Sequence, residues 1–108
     1  MPDVMPWPTR PMYYRLVDRQ AVPTTLRDWA FNFQTSRPIA LDYIGEYRVS
    51  TIFLGLDNSF LGGPPMIFET ATFDHGGRTV DMERCSTYDE AEAMHAKACK
   101  WAREQAAA

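Results

Sequence analysis

The chain has 108 residues, a length that supports one hydrophobic core but not two. Apolar residues make up 45% of it and charged residues 23%, a balance typical of folded globular proteins rather than disordered chains. The net charge of -3 disfavours nonspecific binding to duplex nucleic acid. No apolar run approaches the roughly 20 residues that a membrane helix needs. These totals predict a single soluble domain.

The first eleven residues contain four prolines, which predict an extended arm rather than a helix. The same prolines interrupt the continuous apolar segment that a secretory signal requires, so we expect a cytoplasmic protein with reduced thiols at Cys85 and Cys99. Trp7 in the arm either docks onto a partner or belongs to a poorly ordered end. We therefore divide the chain into a proline-rich arm at residues 1–11 and one α+β domain at residues 12–108.

The first half of the domain is predicted to contain a strand, a helix and a hairpin. Residues 12–17 favour a strand, and a turn then ends at Pro23. Thr24 or Thr25 can cap a short helix. Residues 38–44 and 47–54 form two further strands, joined by a hairpin turn at residues 45–46. The apolar face of the short helix has helical spacing and is predicted to be buried; it comprises Leu26, Trp29, Ala30 and Phe33.

The second half is predicted to complete an antiparallel sheet and cover it with a long helix. A glycine-rich and proline-rich loop at 55–65 leads to strands at 66–73 and 78–84, which a turn at 74–77 joins. Thr87 and Glu90 form a capping box at the start of the last helix. Its predicted buried stripe is Ala91, Met94, Ala98 and Trp101. We expect an α+β fold: about five antiparallel strands with a short N-terminal and a long C-terminal helix packed on them.

Four side chains of types that bind transition metals occur in the chain: His75, Cys85, His95 and Cys99. His95 and Cys99 lie one helical turn apart. The spacing nevertheless matches no common zinc pattern, such as CxxC or HExxH. We therefore predict no metal and no cofactor, and interpret these residues as a turn histidine, a helix-surface histidine and two packed thiols.

No catalytic motif is present, so we predict a binding protein rather than an enzyme. A GxSxG elbow is absent, and the loop at 55–65 lacks the GK[ST] ending of a phosphate-binding loop. Asp81 and Glu83 share one face of a strand, which is typical of a solvated surface. Aromatic rings can stack on a base and arginine can bind phosphate. The candidate ligand-binding residues are Phe73, Arg84 and Arg103, followed by Arg48, Asp57, Asn58 and Lys100.

Several stretches of the chain resemble a family of small phage and prophage proteins. They are MYYRLVDR at 12–19, VPTTLxxWAxxF at 22–33, YRVSTIFLGLDNSF at 47–60, GGPPMIFET at 62–70 and ERCSTYDEAEAMH at 83–95. The family often has His where this chain has Asn58, Tyr where it has Cys85, and Gly where it has Met94. If the histidine of that loop took part in chemistry, Asn58 would argue against catalysis.

This pattern is similar to that of phage anti-defence proteins of the Thoeris anti-defence type. Those proteins act as sponges: they capture the cyclic ADP-ribose signal made by a bacterial TIR enzyme, and some capture cyclic oligonucleotides, without cleaving them. The resemblance implies a homo-oligomer, such as a dimer or a trimer of dimers, in the cytoplasm of an infected or lysogenic bacterial host. From the charge and the absence of a long apolar run, we expect no duplex nucleic acid and no membrane as partner.

Two other functions remain open at this point. One is a protein-binding module that inhibits a host or phage protein through an exposed aromatic surface, with no small-molecule ligand. The other is a nuclease or phosphodiesterase acting on the same signals, which would need a metal ion or a pair of histidines.

Overall fold

A computed structural model describes residues 11–57 and 62–108. Most of the proline-rich arm, with Trp7, lies outside the described residues. In chain order the elements are β1 (Tyr14–Val17), β2 (Gln20–Pro23), α1 (Leu26–Thr35), β3 (Ala40–Ile44), β4 (Tyr47–Phe53), β5 (Phe68–Phe73), β6 (Thr79–Cys85) and α2 (Tyr88–Ala107). Strands β1 and β2 form a two-stranded sheet, and β3 to β6 form a four-stranded sheet in sequence order. All pairings are antiparallel, which confirms the predicted α+β class.

The chain after β1 forms a hairpin where the sequence predicted only a turn. Val17 pairs with Gln20, and the two residues between them, Asp18 and Arg19, have φ angles of 50° and 68°. Left-handed backbone at both central positions is the geometry of a tight hairpin turn, which asparagine and glycine usually provide. The pair Asp18-Arg19 lacks that signal. The strands of the described chain therefore form two sheets, rather than the single sheet of about five strands that we expected.

Helix α1 begins where the sequence predicted, but its apolar face is not buried. Thr25 is the N-cap, and its hydroxyl accepts a hydrogen bond from the N–H of Asp28 at 3.2 Å. Leu26 and Phe33, however, are 56% and 44% exposed. The prediction of a buried face was wrong. This short helix is anchored largely through the partly buried ring of Trp29, which donates a hydrogen bond to the backbone just after β4.

The four-stranded sheet has one covered face and one open face. Alternating residues of β4 and β5, including Val49, Thr51, Phe68 and Thr70, are buried beneath α2 and the β1–β2 hairpin. The residues between them belong to the opposite face, since side chains alternate along a strand. That opposite face, which we call the open face, carries Leu41, Tyr43 and Met82 with exposed fractions of 44%, 73% and 51%.

Helix α2 packs on the covered face along a stripe slightly different from the predicted one. The capping box is confirmed, since Thr87 accepts from the Glu90 N–H and the Glu90 side chain accepts from the Thr87 N–H. The buried positions are Ala91, Met94, His95, Cys99 and Ala102. Trp101 is instead 39% exposed, and His95, predicted on the helix surface, is buried. A buried imidazole is tolerated here because both of its nitrogens have polar partners.

Within the described residues, no helix is long and apolar enough to cross a membrane.

Candidate functional site

A cleft of about 320 Å³ lies between strand β1, helix α1 and the end of strand β4. Its volume is at the lower end of the range of about 300–1,000 Å³ that is usual for small-molecule sites. Its walls are formed by Tyr14, Arg15, Leu16, Trp29, Asn32, Phe33, Thr35, Ser36, Arg37, Ile39, Phe53 and Leu54. We call it the α1 cleft.

The ring of Trp29 forms a fixed wall of the α1 cleft. Its Nε1–H donates a hydrogen bond of 2.8 Å to the carbonyl of Leu54. The backbone at Gly55 passes so close that an added Cβ would lie 2.9 Å from Trp29 Cδ1 and 2.7 Å from the carbonyl oxygen of Tyr14. Because Gly55 also has a φ of 68°, only glycine fits this position without strain. The indole is therefore held by both a hydrogen bond and a close backbone approach.

Two aromatic rings pack against the ring of Trp29. Trp29 stacks on Phe33, with ring centroids 5.3 Å apart and an interplanar angle of 23°, and the ring centroid of Tyr13 lies 5.4 Å from that of Trp29. Phe33 is 44% exposed, so the outer end of the stack is accessible. A planar heterocycle could extend such a stack, since aromatic faces bind one another in offset arrangements.

The polar groups that line the α1 cleft are cationic or neutral. Arg15 and Arg37 are both exposed, and no aspartate or glutamate is among the lining residues. Within the part of the chain that the structure describes, neither guanidinium forms an ion pair with a carboxylate. Asn32 offers an amide that can both donate and accept. In a chain with a net charge of -3, the charged residues that line this cleft are all positive.

Two other clefts among the described residues have a different charge pattern. A cleft of about 400 Å³ includes Arg19, but this guanidinium already contacts the carboxylates of Asp89 and Glu92. A cleft of about 230 Å³ between β6 and α2 contains Asp81 and Glu83. Carboxylates at both places disfavour an anionic ligand. The α1 cleft is therefore the better candidate for one.

The structure places three of the sequence-predicted site residues on the open face. The Arg48 guanidinium lies over the Phe73 ring, 4.3 Å from its centroid. Arg84 donates from Nε to Oε2 of Glu69 at 3.1 Å. Glu69 and Phe73 are four residues apart on β5, which separates the two pairs by roughly 13 Å. Arg48 and Phe73 thus meet, whereas Arg84 binds a carboxylate at the other end of the strand.

The other predicted site residues lie elsewhere. Lys100 and Arg103 are exposed on α2, which packs on the covered face. Arg103 is close enough to Asp42 on β3 for its charge to help lower the pKa of Asp42, of which the hydrogen bond from His95 is the main cause. Asp57 follows β4, and its N–H donates to the Met12 carbonyl at 2.9 Å. Asn58 lies outside the described residues. Within one chain the structure does not bring Phe73, Arg84 and Arg103 into one pocket.

A chain of hydrogen bonds connects α2 to β3, β4 and β5 beneath the covered face. Nδ1 of His95 lies 2.7 Å from the Thr51 hydroxyl, which lies 2.5 Å from the Thr70 hydroxyl. Nε2 of His95 lies 2.7 Å from Oδ2 of Asp42, and the Cys99 thiol donates to the same oxygen at 3.7 Å. The hydrogen bond from His95 lowers the pKa of Asp42, while burial and the neighbouring Asp42 raise the pKa of Cys99.

Both of these sites include residues that the sequence analysis did not select. Trp29 and Phe33 were interpreted as core residues because of their helical spacing, and Arg15 and Arg37 carry no motif. Asp42 lies 53 residues from His95, so no local spacing could join them. No family model, curated protein or solved structure matches this chain, and its function is therefore inferred from the geometry of these sites.

Proposed function

We propose that this protein binds and sequesters a nucleotide signal without cleaving it, and that the α1 cleft holds the ligand. The observation that carries the proposal is the combination, in one cleft, of an accessible aromatic stack with two arginines and no carboxylate. A nucleotide needs these two features, since its base stacks on aromatic rings and its phosphates bind guanidinium groups. Sequestration requires affinity and no nucleophile.

The parts of the cleft suggest how one nucleotide unit would bind. Phe33 is the exposed end of the stack and would face the base, while Asn32, one residue earlier on α1, can pair with a base edge. Arg15 on β1 and Arg37 after α1 would hold the phosphates from two sides. The volume of about 320 Å³ suits one base with its adjoining phosphate. A larger cyclic ligand would extend out of the cleft, toward a second copy in a homo-oligomer.

The resemblance to phage anti-defence proteins selects the ligands to test. The purified chain is incubated with cyclic ADP-ribose isomers and cyclic oligonucleotides, the protein is separated and heated, and the released material is analysed by chromatography. Ligand that is depleted from solution and recovered intact after heating supports sequestration. Recovery of a chemically altered product would show that the protein is an enzyme. If none of the tested nucleotides is depleted, the proposal of nucleotide sequestration is excluded.

Variants of exposed residues locate the site. A charge-assisted hydrogen bond is worth about 1.5–3 kcal/mol, so Arg15→Ala and Arg37→Ala should each weaken binding roughly ten-fold or more. Arg27→Ala is the matched control, because Arg27 is exposed on α1 but does not line the cleft. If Arg103→Ala or Phe73→Ala weakens binding and the cleft variants do not, the ligand binds at the residues selected from the sequence.

The open face supports a second candidate, a protein-binding module. Leu41, Tyr43 and Met82 expose apolar side chains next to the Arg48–Phe73 pair, and aromatic residues, methionine and arginine are enriched in protein interfaces. Symmetric oligomers are common, so sedimentation velocity should first establish whether the partner is a second copy. Tyr43→Glu with Met82→Glu should dissociate an oligomer or a captured partner. Unchanged association in this folded double variant would exclude the open face as the interface.

A further inference from the structure

A cluster of three metal-binding side chains lies where α2 crosses the edge strand β3. One ligand atom from each of Asp42, His95 and Cys99 lies within 4.8 Å of the other two. The three residues supply oxygen, nitrogen and sulfur, all of which zinc accepts. His95 and Cys99 are four residues apart on a regular helix, so their side chains are on one face.

One separation in this cluster matches that of a zinc site, and another is shorter. Bonds of about 2.0–2.3 Å in tetrahedral directions place ligand atoms roughly 3.3–3.8 Å apart. The Cys99 sulfur and Asp42 Oδ2 are 3.7 Å apart, and His95 Nε2 and the same oxygen are 2.7 Å apart. The second distance must lengthen by roughly 0.6 Å or more for an ion to enter. The Asp42 side chain is 55% exposed, so this carboxylate can move while the two helix residues stay fixed.

The surroundings of His95 already resemble those of a metal-bound histidine. A ligating imidazole usually donates its other N–H to a neighbouring group, which fixes the orientation of the ring. Here Nδ1 lies 2.7 Å from the Thr51 hydroxyl, and that hydroxyl lies 2.5 Å from Thr70. Without a metal, Nε2–H donates to Asp42, so a cation would have to displace this proton. With Nδ1–H then donating to Thr51 and Thr51 donating to Thr70, Nε2 would offer its lone pair to the cation without rotation of the ring.

We propose that Asp42, His95 and Cys99 form a Zn²⁺ site that joins helix α2 to edge strand β3. The mixed ligand set favours Zn²⁺ over Mg²⁺ or Ca²⁺, which require oxygen ligands. Three protein ligands leave a fourth position for water or an external group on the exposed Asp42 side. Arg103, whose charge acts on both Asp42 and Cys99, favours an anion there. This site is distinct from the α1 cleft and does not depend on nucleotide binding.

Cobalt is a suitable probe because it substitutes for zinc in such sites and reports its ligands by absorption. Tag-free, full-length protein is stripped with a chelator and titrated with Co²⁺ under reducing conditions. We expect one equivalent to produce a thiolate-to-cobalt charge-transfer band, together with the intense visible bands of tetrahedral cobalt. Added Zn²⁺ should displace the cobalt and raise the melting temperature, since a ligand that binds only the folded state stabilises it.

Matched variants assign the ligands. Cys99→Ser should abolish the charge-transfer band, and Asp42→Asn should weaken binding by about ten-fold or more. Cys85→Ser and His75→Gln change the other thiol and the other imidazole, and both variants should bind Co²⁺ as the native chain does. Asp42→Asn alters an exposed side chain, so it tests the proposal even if Cys99→Ser fails to fold.

Three results would overturn the site. The first is the absence of a charge-transfer band in the native chain at cobalt concentrations well above that of the protein. The second is a band that persists in folded Cys99→Ser. The third is cobalt affinity that is unchanged in Asp42→Asn.

Discussion

The backbone at Gly55 lies against the indole of Trp29, so that an added Cβ would be 2.9 Å from Trp29 Cδ1. This contact positions the ring that forms the inner wall of the α1 cleft. It also joins the end of β4 to α1, a helix with no fully buried residue. The cleft and the docking of α1 therefore depend on the same glycine.

Replacing Gly55 with alanine should destabilise the fold and disturb the cleft. The added methyl group meets Trp29 and the Tyr14 carbonyl, and the φ of 68° adds backbone strain, which together should cost about 1–3 kcal/mol. Denaturant unfolding monitored by tryptophan fluorescence measures this cost. Gly77→Ala is the control, because Gly77 has a φ of 80° but no atom within 4 Å of its added Cβ. Equal losses in the two variants would contradict a steric role for Gly55.

The buried hydroxyls of Thr51 and Thr70 should be energetically coupled. Every buried polar side-chain atom in the described part of the chain has a partner. Thr51→Val keeps the shape of the side chain but removes the hydroxyl that is hydrogen-bonded to the Thr70 hydroxyl and to Nδ1 of His95. The free energy of unfolding should fall by about 1–3 kcal/mol. In the double variant with Thr70→Val, one orphaned hydroxyl is removed, so the loss should be smaller than the sum of the single losses. Strictly additive unfolding free energies would show that the hydroxyls act independently.

The capping box of α2 should make a measurable contribution to stability. The Thr87 hydroxyl accepts from the Glu90 N–H at 3.1 Å, and the Glu90 carboxylate accepts from the Thr87 N–H at 3.1 Å. Thr87→Ala should lower the free energy of unfolding by about 0.5–2 kcal/mol. Thr87→Ser retains the hydroxyl and should remain close to the native value. A loss in the serine variant as large as that in the alanine variant would mean that the methyl group, not the cap, is responsible.

The β5–β6 turn should contribute to acid sensitivity. Oδ1 of Asp74 accepts backbone hydrogen bonds from Gly76 at 2.9 Å and Arg78 at 3.0 Å, and these, chiefly the one from Arg78, lower the pKa of Asp74. Because the pKa of Asp74 is lower in the folded than in the unfolded chain, its ionised form stabilises the fold at pH values above the unfolded pKa of about 3.9. This contribution disappears as the pH falls through the pKa of the folded state.

Asp74→Asn isolates this contribution, because asparagine keeps an acceptor oxygen but cannot ionise. The native chain should be more stable than the variant at neutral pH, and the difference should shrink as the pH falls below about 4. Chemical denaturation at a series of pH values measures both chains. A difference that stays constant down to acidic pH would exclude ionised Asp74 as its source.

Much of the fold could be predicted from local sequence. The capping box at Thr87 and Glu90, the hairpin at Gly45 and the meander from β4 to β6 depend on residues close in sequence, and the structure confirms them. The β1–β2 hairpin was missed because Arg19 stands where a tight hairpin turn usually has glycine. The buried face of α1 was predicted wrongly because periodicity indicates which residues share a face, but not whether another element covers it.

The sequence by itself determined the α+β class, the helix starts and the main strand order, because hydrogen bonding and turn chemistry act over a few residues. Only the tertiary structure decided which groups meet. Arg15 and Arg37 line one cleft although they lie on either side of α1, and Asp42 reaches His95 and Cys99 across 53 and 57 positions. Such sites depend on strand register and on how a helix docks on a sheet. Both are set by packing of the whole domain, so no local pattern encodes them.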